Sequence, residues 1–472
     1  MRWGSAVKPP QLRAALLAVA AILAANTATP ADELPAPSPY LGEIRRDADG
    51  KLIAVPAATP IAAKAGDPTT PAEPPVAAGR DTPPPKEAPV LEPKSNQAGA
   101  RSASQDYTPR LIRVGPGHRT RTIAAAAALA RDGDTIEIDA GEYPADVAVW
   151  KQDKLTIRGI GGRARLIASG ASAEKKAIWV IRGGAITIEN IEFTGARVPD
   201  KNGAGIRFEK GHLVIRNCRF IDNENGILTG GGDAELEIEN SEFGHNGAGD
   251  GYSHNLYAGA LRRLRVTGSY FHHARVGHLF KSRAAESHIL YNRLTDEAGG
   301  RASYELEFPN GGIAYVIGNI IEQSATTENG AIISYGAEGY PRPANELYLI
   351  NNTIANNRPA GGVFLAVKPG VAVVKAYNNL LLGKGPLHTG VLGFFANNPN
   401  VEATAFAAAS RHDYRITAES PLQRTYLAPG VVNGIELAPT REYVHPATTR
   451  LLAGAPTLPG ARQTMQPDSA GQ

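Results

Sequence analysis

From about Leu111 onward, short runs of alternating apolar and polar residues are separated by Gly, Asn and Asp. One six-residue pattern recurs in this region. It begins with an apolar residue and a spacer residue, continues with a third position that is usually Asn, and ends with two apolar residues on either side of a variable one. Taking the Asn (or Gly) as a marker, the copies follow one another at steps of 27, 23, 28, 24, 27, 33 and 27 residues. The markers are Asn190, Asn217, Asn240, Gly268, Asn292, Asn319, Asn352 and Asn379.

A period in the twenties indicates one small structural unit per repeat, stacked on its neighbours. Each unit has room for short strands and Gly/Asn turns but none for a helix, and a Leu-x-x-Leu-x-Leu scaffold is missing. We therefore predict an all-β chain folded as a parallel β-solenoid. Asn at one turn position would stack along the solenoid, hydrogen-bond between units and tolerate a left-handed backbone.

The segment before the repeats predicts a cap. An Ala-rich helix is expected over Thr122 to Arg131, followed by the turn Asp132-Gly133-Asp134 and a strand over Thr135 to Ile138. We assign residues 110–455 to the solenoid domain and 456–472 to a flexible tail.

The N-terminus has the features of an export signal. Arg2, Lys8 and Arg13 are followed by an unbroken apolar stretch from Ala14 to Ala25, which is too short to span a bilayer. We assign residues 1–28 to a signal peptide and predict a periplasmic or secreted protein. Residues 29–109 hold 16 of the 35 prolines and lack apolar periodicity, which indicates a disordered Pro/Ala-rich linker.

Composition narrows the classes of function. The net charge of +3 is too small for the strongly basic surface that nucleic-acid binding requires, so no nucleic-acid partner is expected. No run approaches about 18 apolar residues, so no transmembrane span is expected in the mature protein. The single cysteine, Cys218, excludes internal disulfides and Cys-based zinc sites. Its place beside an Asn marker predicts a small buried residue rather than a nucleophile.

The repeats and their cap resemble the secreted right-handed parallel β-helix proteins of the pectate-lyase-like superfamily. The resemblance covers about Leu111 to Leu451 and includes the Ala-rich helix with its Asp-Gly-Asp-Thr-Ile continuation. The stretch from Asp413 to Leu422 is similar to the closing segment of such proteins. This resemblance implies a right-handed parallel β-helix with a short N-terminal capping helix.

The stretch from His254 to Arg283 carries the candidate chemistry. Its 30 residues contain five Arg, one Lys and four His, and no Asp or Glu. A basic, histidine-rich band on a nearly neutral protein predicts an anionic ligand, with a solvated charged face as the plainer alternative.

Counting from the markers places residues of successive repeats side by side. Lys281 and Arg283 lie 13 and 15 residues after the marker Gly268. The same two positions hold Glu305 and Glu307 in the next repeat, and Ser253 and Asn255 in the previous repeat. Residues two apart on a strand share a face, and adjacent strands lie about 4.8 Å apart. We therefore expect these residues to form an outward polar patch with Tyr257 at its edge. Cross-strand ion pairing alone would explain the same pattern.

Lys281-Ser282, with Asn292 eleven residues later, resembles the segment that carries the catalytic lysine in the β-helical alginate lyase and chondroitinase B family. The resemblance implies that Lys281 is the Brønsted base and that calcium neutralises the substrate carboxylate. This chain departs from the family where the arginine of the next coil is expected, since it has Glu305, Glu307 and Pro309 there.

We therefore predict an exported protein acting on an acidic polysaccharide by β-elimination or C5 epimerisation at a uronic acid. The alternatives are a non-catalytic glycan-binding or envelope-scaffold β-helix and, third, a glycoside hydrolase using Glu305 and Glu307. No metal ligands are assigned, and calcium is the one metal that the resemblance implies. The predicted catalytic residues are Lys281, Arg283, His254, Tyr257 and His278, and the predicted substrate-binding residues are Asn255, Arg275, Glu305, Glu307 and His273.

Overall fold

The structure is a computed structural model that describes residues 107–465 and the backbone of two short strands nearer the N-terminus. These strands, β1 (Glu43–Arg46) and β2 (Leu52–Val55), pair as an antiparallel hairpin that the linker prediction did not include. The predicted signal peptide, the rest of the linker up to residue 106 and residues 466–472 lie outside the described residues.

The repeats form coils of three strands each. The region opens with β3 (Leu111–Val114), α1 (Ile123–Leu129), β4 (Thr135–Pro144), β5 (Ala148–Trp150) and β6 (Lys154–Ile167). The following coils contain β7 (Ala177–Ile181), β8 (Ala185–Glu189), β9 (Ile191–Thr194), β10 (Ala204–Phe208), β11 (His212–Arg216), β12 (Arg219–Ile221), β13 (Asn225–Thr229), β14 (Glu235–Glu239), β15 (Glu242–Gly244), β16 (Leu256–Ala258), β17 (Arg263–Thr267) and β18 (Tyr270–His272).

The later coils contain β19 (Phe280–Ser282), β20 (Glu286–Leu290), β21 (Arg293–Thr295), β22 (Leu306–Phe308), β23 (Ile313–Ile317), β24 (Ile320–Gln323), β25 (Ala331–Tyr335), β26 (Glu346–Ile350), β27 (Thr353–Asn356), β28 (Val363–Val367), β29 (Val373–Tyr377) and β30 (Leu380–Gly383). The C-terminal part has β31 (Phe394–Ala396), β32 (Asn400–Val401), β33 (Phe406–Ala408), β34 (Asp413–Ile416), β35 (Val431–Val432), β36 (Ile435–Glu436), β37 (Arg441–Val444) and β38 (Thr448–Leu451), with 3-10 helices at Ala403–Ala405 and Ala409–Arg411.

Every strand of a coil pairs in parallel with the corresponding strand of the next coil. The first strands of the coils form a nine-stranded sheet, from β5 and β7 to β28 in steps of three strands. The second and third strands form the other faces, which are joined in one 21-stranded sheet. This pairing confirms the predicted all-β parallel solenoid, and α1 confirms the short capping helix.

Aromatic side chains at the same position of each coil fill the interior. Phe193, Phe220, Phe243 and Phe271 close the four clear copies of the repeated pattern, and all four are fully buried. Their rings stack with centroids 5.0, 4.7 and 4.6 Å apart. Burial of these rings in one continuous column supplies a core that no single repeat could build alone.

A column of polar side chains also runs through the interior, beside the aromatic stack. The Asn319 side-chain oxygen accepts a hydrogen bond from the backbone N–H of Asn292, and Asn352 does the same for Asn319. Ser241 and Ser269 occupy this column in the earlier coils. Cys218 begins it and is buried, which confirms its predicted structural position and raises the pKa of its thiol to about 12.

The repeat markers belong to two neighbouring columns rather than one. Asn190, Asn217 and Asn240 adopt the predicted left-handed backbone, with φ of 57°, 50° and 49°. In the later coils this conformation falls one residue before the marker, as at Tyr291, while Asn292 belongs to the interior ladder. The marker count therefore slips by one residue at this coil.

The C-terminal region packs along the side of the solenoid. The β33–β34 hairpin buries Phe406, Tyr414 and Ile416 against the outer face of the third strands. Residues 425–461, which we call the strap, then run back along the coils. The strap contacts Asn397 through the carbonyl of Thr425 and reaches the level of Gly268 through Thr449. The stretch from Asp413 to Leu422, which resembles a closing segment, therefore covers a lateral face of the solenoid.

The folded region extends beyond the boundary predicted at residue 455. Leu458 and Ala461 are buried, and the carbonyl of Leu458 accepts a hydrogen bond of 2.9 Å from the Asn351 side chain. Residues 456–465 are therefore packed against the solenoid, contrary to the prediction of a flexible tail there. Among the described residues, no helix is long and apolar enough to cross a membrane.

Candidate functional site

One row of outward-facing side chains crosses the nine-stranded sheet at right angles to its strands. Tyr257 on β16 is paired in register with Lys281 on β19, and Lys281 is paired with Glu307 on β22. Ser334 on β25 continues the row. Because parallel strands lie about 4.8 Å apart, these four side chains form a continuous polar row along the solenoid.

Lys281 is held between two acidic groups. Its Nζ lies 3.0 Å from Oε2 of Glu307 and 3.8 Å from Oε1 of Glu338. The Nε2 of His278 lies 2.9 Å from the same Glu307 oxygen. Only 12% of the Lys281 side-chain surface is exposed to solvent. Its ammonium therefore lies at the floor of the site and not on an open surface.

Arg283 follows Lys281 by two residues and grips a carboxylate from another loop. Its guanidinium pairs with Glu338 through two contacts, Nη1–Oε2 at 2.5 Å and Nη2–Oε1 at 2.8 Å. Its Nε donates to the phenol oxygen of Tyr257 at 2.8 Å, and Nη1 also donates to Asn310. This forked pairing is the geometry with which arginine recognises carboxylates.

His254 lies beneath the row and supports it. It is buried, its Nδ1 accepts a hydrogen bond of 2.9 Å from the backbone N–H of His278, and its ring stacks on Tyr257 with centroids 5.5 Å apart. His254 therefore positions the site without reaching a ligand outside it.

Burial and charge set the protonation states here. Burial alone would raise the pKa of Glu307, but the contact with His278 and the charge of Lys281 hold it below its usual value. Burial lowers the pKa of His278, and the contact with Glu307 offsets only part of that effect. Burial and the proximity of His278 hold the pKa of His254 well below its usual value. Near neutral pH, Glu307 is thus ionised and both histidines are neutral.

Two predicted substrate-binding residues point into the solenoid. Asn255 is fully buried, where its oxygen accepts from Asn246 and its amide donates to the carbonyl of His272. Glu305 is also fully buried, and burial raises its pKa well above the usual value. The prediction of an outward Glu305/Glu307 pair is therefore wrong, and only Glu307 lies in the site.

The predicted register failed because turn lengths vary between coils. The marker count placed Lys281 beside Glu305, whereas the structure pairs Lys281 with Glu307. The turn that connects β21 to β22 is three residues longer than the turn that connects β18 to β19, and the shift between marker columns offsets one of these three residues.

Arg275 and His273 lie apart from the polar row, on the turn between β18 and β19. Arg275 pairs with Asp222 at 2.6 Å, and His273 contacts His272. The predicted basic band is similarly neutralised elsewhere, since Glu235 and Glu286 of adjacent strands pair with its Arg262 and Arg263. Stacking of coils brings acidic residues that are distant in sequence next to the band.

Sequence reasoning missed three residues of the site. Glu338 and Asn310 hold Arg283, and Ser334 extends the polar row. The 33-residue step between Asn319 and Asn352 was a signal for Glu338, because the longest repeat has extra residues to place in a loop. Asn310 and Ser334 carried no such signal.

The residues around Lys281 do not suit calcium, which takes six to eight oxygen ligands. The two carboxylates near it, Glu307 and Glu338, are already paired with Lys281 and Arg283. Within residues 107–465, the one cluster of three or more groups able to hold a metal ion is formed by His245, His272 and His273. Imidazole nitrogens are not calcium ligands, so this cluster does not suit calcium either.

Comparisons with known proteins agree with this architecture. Residues 153–315 match the family model described as a right-handed β-helix region. A solved structure, the crystal structure of pectate lyase Pel9A, is similar to this chain with a TM-score of 0.52 and 14% sequence identity. The similarity covers 76% of this chain and 97% of that one.

A second structure, ORF18 of Geobacillus virus E2, is 12% identical over 57% of this chain and 53% of its own, with a TM-score of 0.37. No curated protein matches the sequence. The strand pairing and the matched family model give the chain the fold of a right-handed parallel β-helix protein. Within that class, its fold is similar to that of pectate lyase Pel9A.

Proposed function

We propose that this chain is an exported protein that binds an acidic polysaccharide over Tyr257, Lys281 and Arg283 and acts on it at a uronic acid. The expected reaction is β-elimination or C5 epimerisation. Export rests on the apolar leader at residues 14–25, and the fold of pectate lyase Pel9A supports a polysaccharide ligand by analogy.

The observation that carries the proposal is the carboxylate that Arg283 already holds. Glu338 reaches the site from a loop, and its side chain is 47% exposed. It therefore occupies a position that solvent reaches and that a sugar carboxylate could take over. A uronate bound there would lie against Arg283 and close to Lys281.

The same geometry provides the chemistry. Lys281 as its free amine would remove the C5 proton, and the electron pair would form the C4=C5 double bond as the C4–O bond breaks. Arg283 would stabilise the charge that grows on the uronate carboxylate. Tyr257, which accepts a hydrogen bond from Arg283, would donate its proton to the leaving oxygen. In epimerisation, Tyr257 would instead donate its proton to C5 on the face opposite Lys281, and the C4–O bond would stay intact.

The ion pair with Glu307 sets a condition on this mechanism. Lys281 can act as a base only as its free amine, and its Nζ lies 3.0 Å from the Glu307 carboxylate. The ion pair must therefore lose a proton before Lys281 can remove one from the substrate.

A glycoside hydrolase is not favoured. Such an enzyme needs a carboxylic acid that stays protonated to assist the leaving group. The pKa of Glu338 is lowered by its hydrogen bonds with Arg283, and that of Glu307 is lowered as described above. Glu305, whose pKa is raised, is enclosed inside the solenoid.

Non-catalytic binding of an acidic glycan is the second candidate. The pairing of both cations with acidic groups favours it, because a charge-balanced groove can exchange its own carboxylate for that of a ligand without proton transfer. Both candidates use Arg283, but only the enzyme requires Lys281 as a base.

The test is turnover on a panel of uronate polymers, followed by the ultraviolet absorbance of unsaturated products and by NMR for C5 inversion. Lys281→Ala should lose nearly all turnover while binding changes within a few-fold, since proton abstraction occurs only in the transition state. Lys210→Ala, at an exposed lysine in the turn between β10 and β11, is the matched control.

Normal turnover by a folded Lys281→Ala protein would exclude the lyase and epimerase mechanism. Polymer binding that depends on Arg283, with no turnover by the wild type on any polymer, would instead favour the binding protein.

A further inference from the structure

Three histidines converge at one corner of the solenoid, away from the polar row. His245 follows β15, and in the next coil His272 ends β18 and His273 follows it. Nitrogen atoms of all three rings lie within 4.8 Å of one another. His245 and His273 both have a left-handed backbone, with φ of 56° and 46°, which non-glycine residues rarely adopt.

A half-buried carboxylate, Glu242, lies behind His272. Glu242 lies 3.4 Å from Nε2 of His272 and is also bound by Arg219 at 2.8 Å. When the Nε2 hydrogen of His272 points to this carboxylate, the Nδ1 lone pair of His272 faces His273. A carboxylate behind a histidine is the usual support of a metal-binding imidazole.

The other two rings are also ready to coordinate. Nδ1 of His273 lies 2.8 Å from Nδ1 of His272, and the ring of His245 stacks on His273 with centroids 4.6 Å apart.

The cluster adjoins a pocket of about 400 Å³ whose lining includes His245, His273, Gly300, Arg275 and Arg301. Metal–nitrogen bonds of about 2.0–2.1 Å require the three nitrogens to lie about 3.4 Å apart in a tetrahedral site. His245 is exposed and can rotate to reach this spacing. Two arginines in the lining would favour water, hydroxide or another anion as a fourth ligand.

We propose that His245, His272 and His273 bind one divalent transition-metal ion of the zinc class, with Glu242 orienting His272 and the fourth coordination position open to the pocket. Three imidazoles suit zinc, copper or nickel and do not suit calcium or magnesium. This site is independent of the polysaccharide site and of its chemistry.

The experiment uses tag-free full-length protein, stripped of metal with a chelator. Titration with Co²⁺ should give the visible absorption of a four-coordinate ion at one equivalent per chain, and Zn²⁺ should abolish that absorption. A chromophoric competitor then measures zinc affinity. His245→Ala and His273→Ala should each weaken binding more than tenfold, and Glu242→Gln should weaken it about 10- to 100-fold.

Two controls make the result specific. His212→Ala, at a half-exposed histidine on β11, and Lys281→Ala should both bind zinc as the wild type does. Zinc should raise the melting temperature of the wild type and of both controls, but not that of His273→Ala. Circular dichroism of each variant separates lost metal binding from lost folding.

The proposal is overturned if the wild type takes up no ion at micromolar free zinc. It is also overturned if folded His245→Ala and His273→Ala proteins bind zinc as tightly as His212→Ala does. Should Glu242→Gln leave zinc affinity unchanged, Glu242 has no orienting role.

Discussion

At the scale of single residues, Glu338 controls whether Arg283 is free to bind a ligand carboxylate. It neutralises Arg283 through a forked pair and lies 3.8 Å from Lys281. A ligand carboxylate must displace it, so the intramolecular pair competes with the ligand for Arg283.

Glu338→Gln should therefore strengthen ligand binding. The neutral amide pairs less strongly with Arg283, so KM for a uronate polymer, or Kd if the protein only binds, should fall several-fold with little change in kcat. Glu328→Gln, in the preceding loop, is the control and should change neither value. An unchanged KM for folded Glu338→Gln would show that ligands do not use this position of Arg283.

Asp296 is the second residue whose environment makes a prediction. It lies inside the solenoid, its Oδ2 accepts from the N–H of Ala302 at 2.6 Å, and burial raises its pKa to about 7. In the unfolded chain its pKa is near 3.8. Between about pH 4 and pH 7 the folded protein thus retains a proton that the unfolded chain releases, and stability falls as pH rises.

Asp296→Asn should remove this loss. We expect the variant to be more stable than the wild type at pH 8 by a few kcal/mol, since one pKa unit corresponds to about 1.4 kcal/mol. At pH 4 the two should be nearly equal. Thermal unfolding at both pH values measures the difference, and a variant that is less stable at pH 8 would contradict the assignment.

At the scale of elements, the interior ladder shows what each amide contributes. Asn319 accepts from the N–H of Asn292 and donates to the carbonyl of Ile289 at 2.7 Å and to Asn352 at 3.0 Å. Each bond spans two coils, so the ladder fixes the register of the turns as well as satisfying their backbone groups.

Asn319→Ala should lower the free energy of unfolding by at least about 2 kcal/mol, because it leaves a buried N–H and a buried carbonyl unpaired. Asn319→Ser should cost less, since Ser241 and Ser269 already serve as acceptors in this column. Chemical denaturation of both variants tests the order, and an Asn319→Ser protein as unstable as Asn319→Ala would contradict it.

His412 ties the C-terminal hairpin to the coils. Its Nε2 lies 2.9 Å from Glu297 and its Nδ1 lies 2.7 Å from Glu322. The hydrogen bonds with Glu297 and then Glu322 raise the pKa of His412 to about 9, compared with 6.5 for a free side chain. The stabilisation is thus fully present below about pH 6.5 and is lost as pH rises through about 9.

His412→Gln should abolish this part of the pH dependence. The wild type should lose melting temperature between pH 6.5 and pH 9, and the variant should start lower and change less over that range. His212→Gln serves as the control and should follow the wild type. Parallel curves for wild type and His412→Gln would show that the clamp does not form.

At the scale of the whole molecule, the fold was predictable because its signals repeat. The terminal Phe of each pattern and the polar residue beside each marker recur once per coil. An ambiguous assignment in one repeat is therefore resolved by the same position in the next repeat. The outward residues Tyr315 and Tyr348 of later strands are aromatic where β14 is charged, because the strap covers them with Leu437.

The site was predictable only in part, because it depends on turns that do not repeat. Lys281, Arg283 and Tyr257 share one patch, since they follow strand rules alone. Glu305 and Asn255 were misplaced because the turns before β16 and β22 are both longer than the turn before β19. Glu338 comes from a loop whose path cannot be inferred from a strand pattern.

Limited proteolysis tests the predicted boundaries. The Pro-rich composition of residues 29–109 provides little apolar material for a core, whereas the solenoid buries its backbone in continuous ladders. A resistant fragment should therefore begin between residues 94 and 110 and still contain Leu458 and Ala461, as mass spectrometry would show. A stable fragment that retains residues 83–93, or one that ends before residue 455, would contradict these boundaries.

The strap changes how such a solenoid can come apart. Coils that touch only their neighbours can fray one at a time from either end of the array. Here Thr440 bonds to Tyr291, Asn433 to Tyr315 and Leu427 to Asn378, so one segment bridges several coils. No coil in this span can open without detaching part of the strap from the others. The C-terminal half should therefore behave as one cooperative unit, while the N-terminal coils remain a sequence of nearest-neighbour steps.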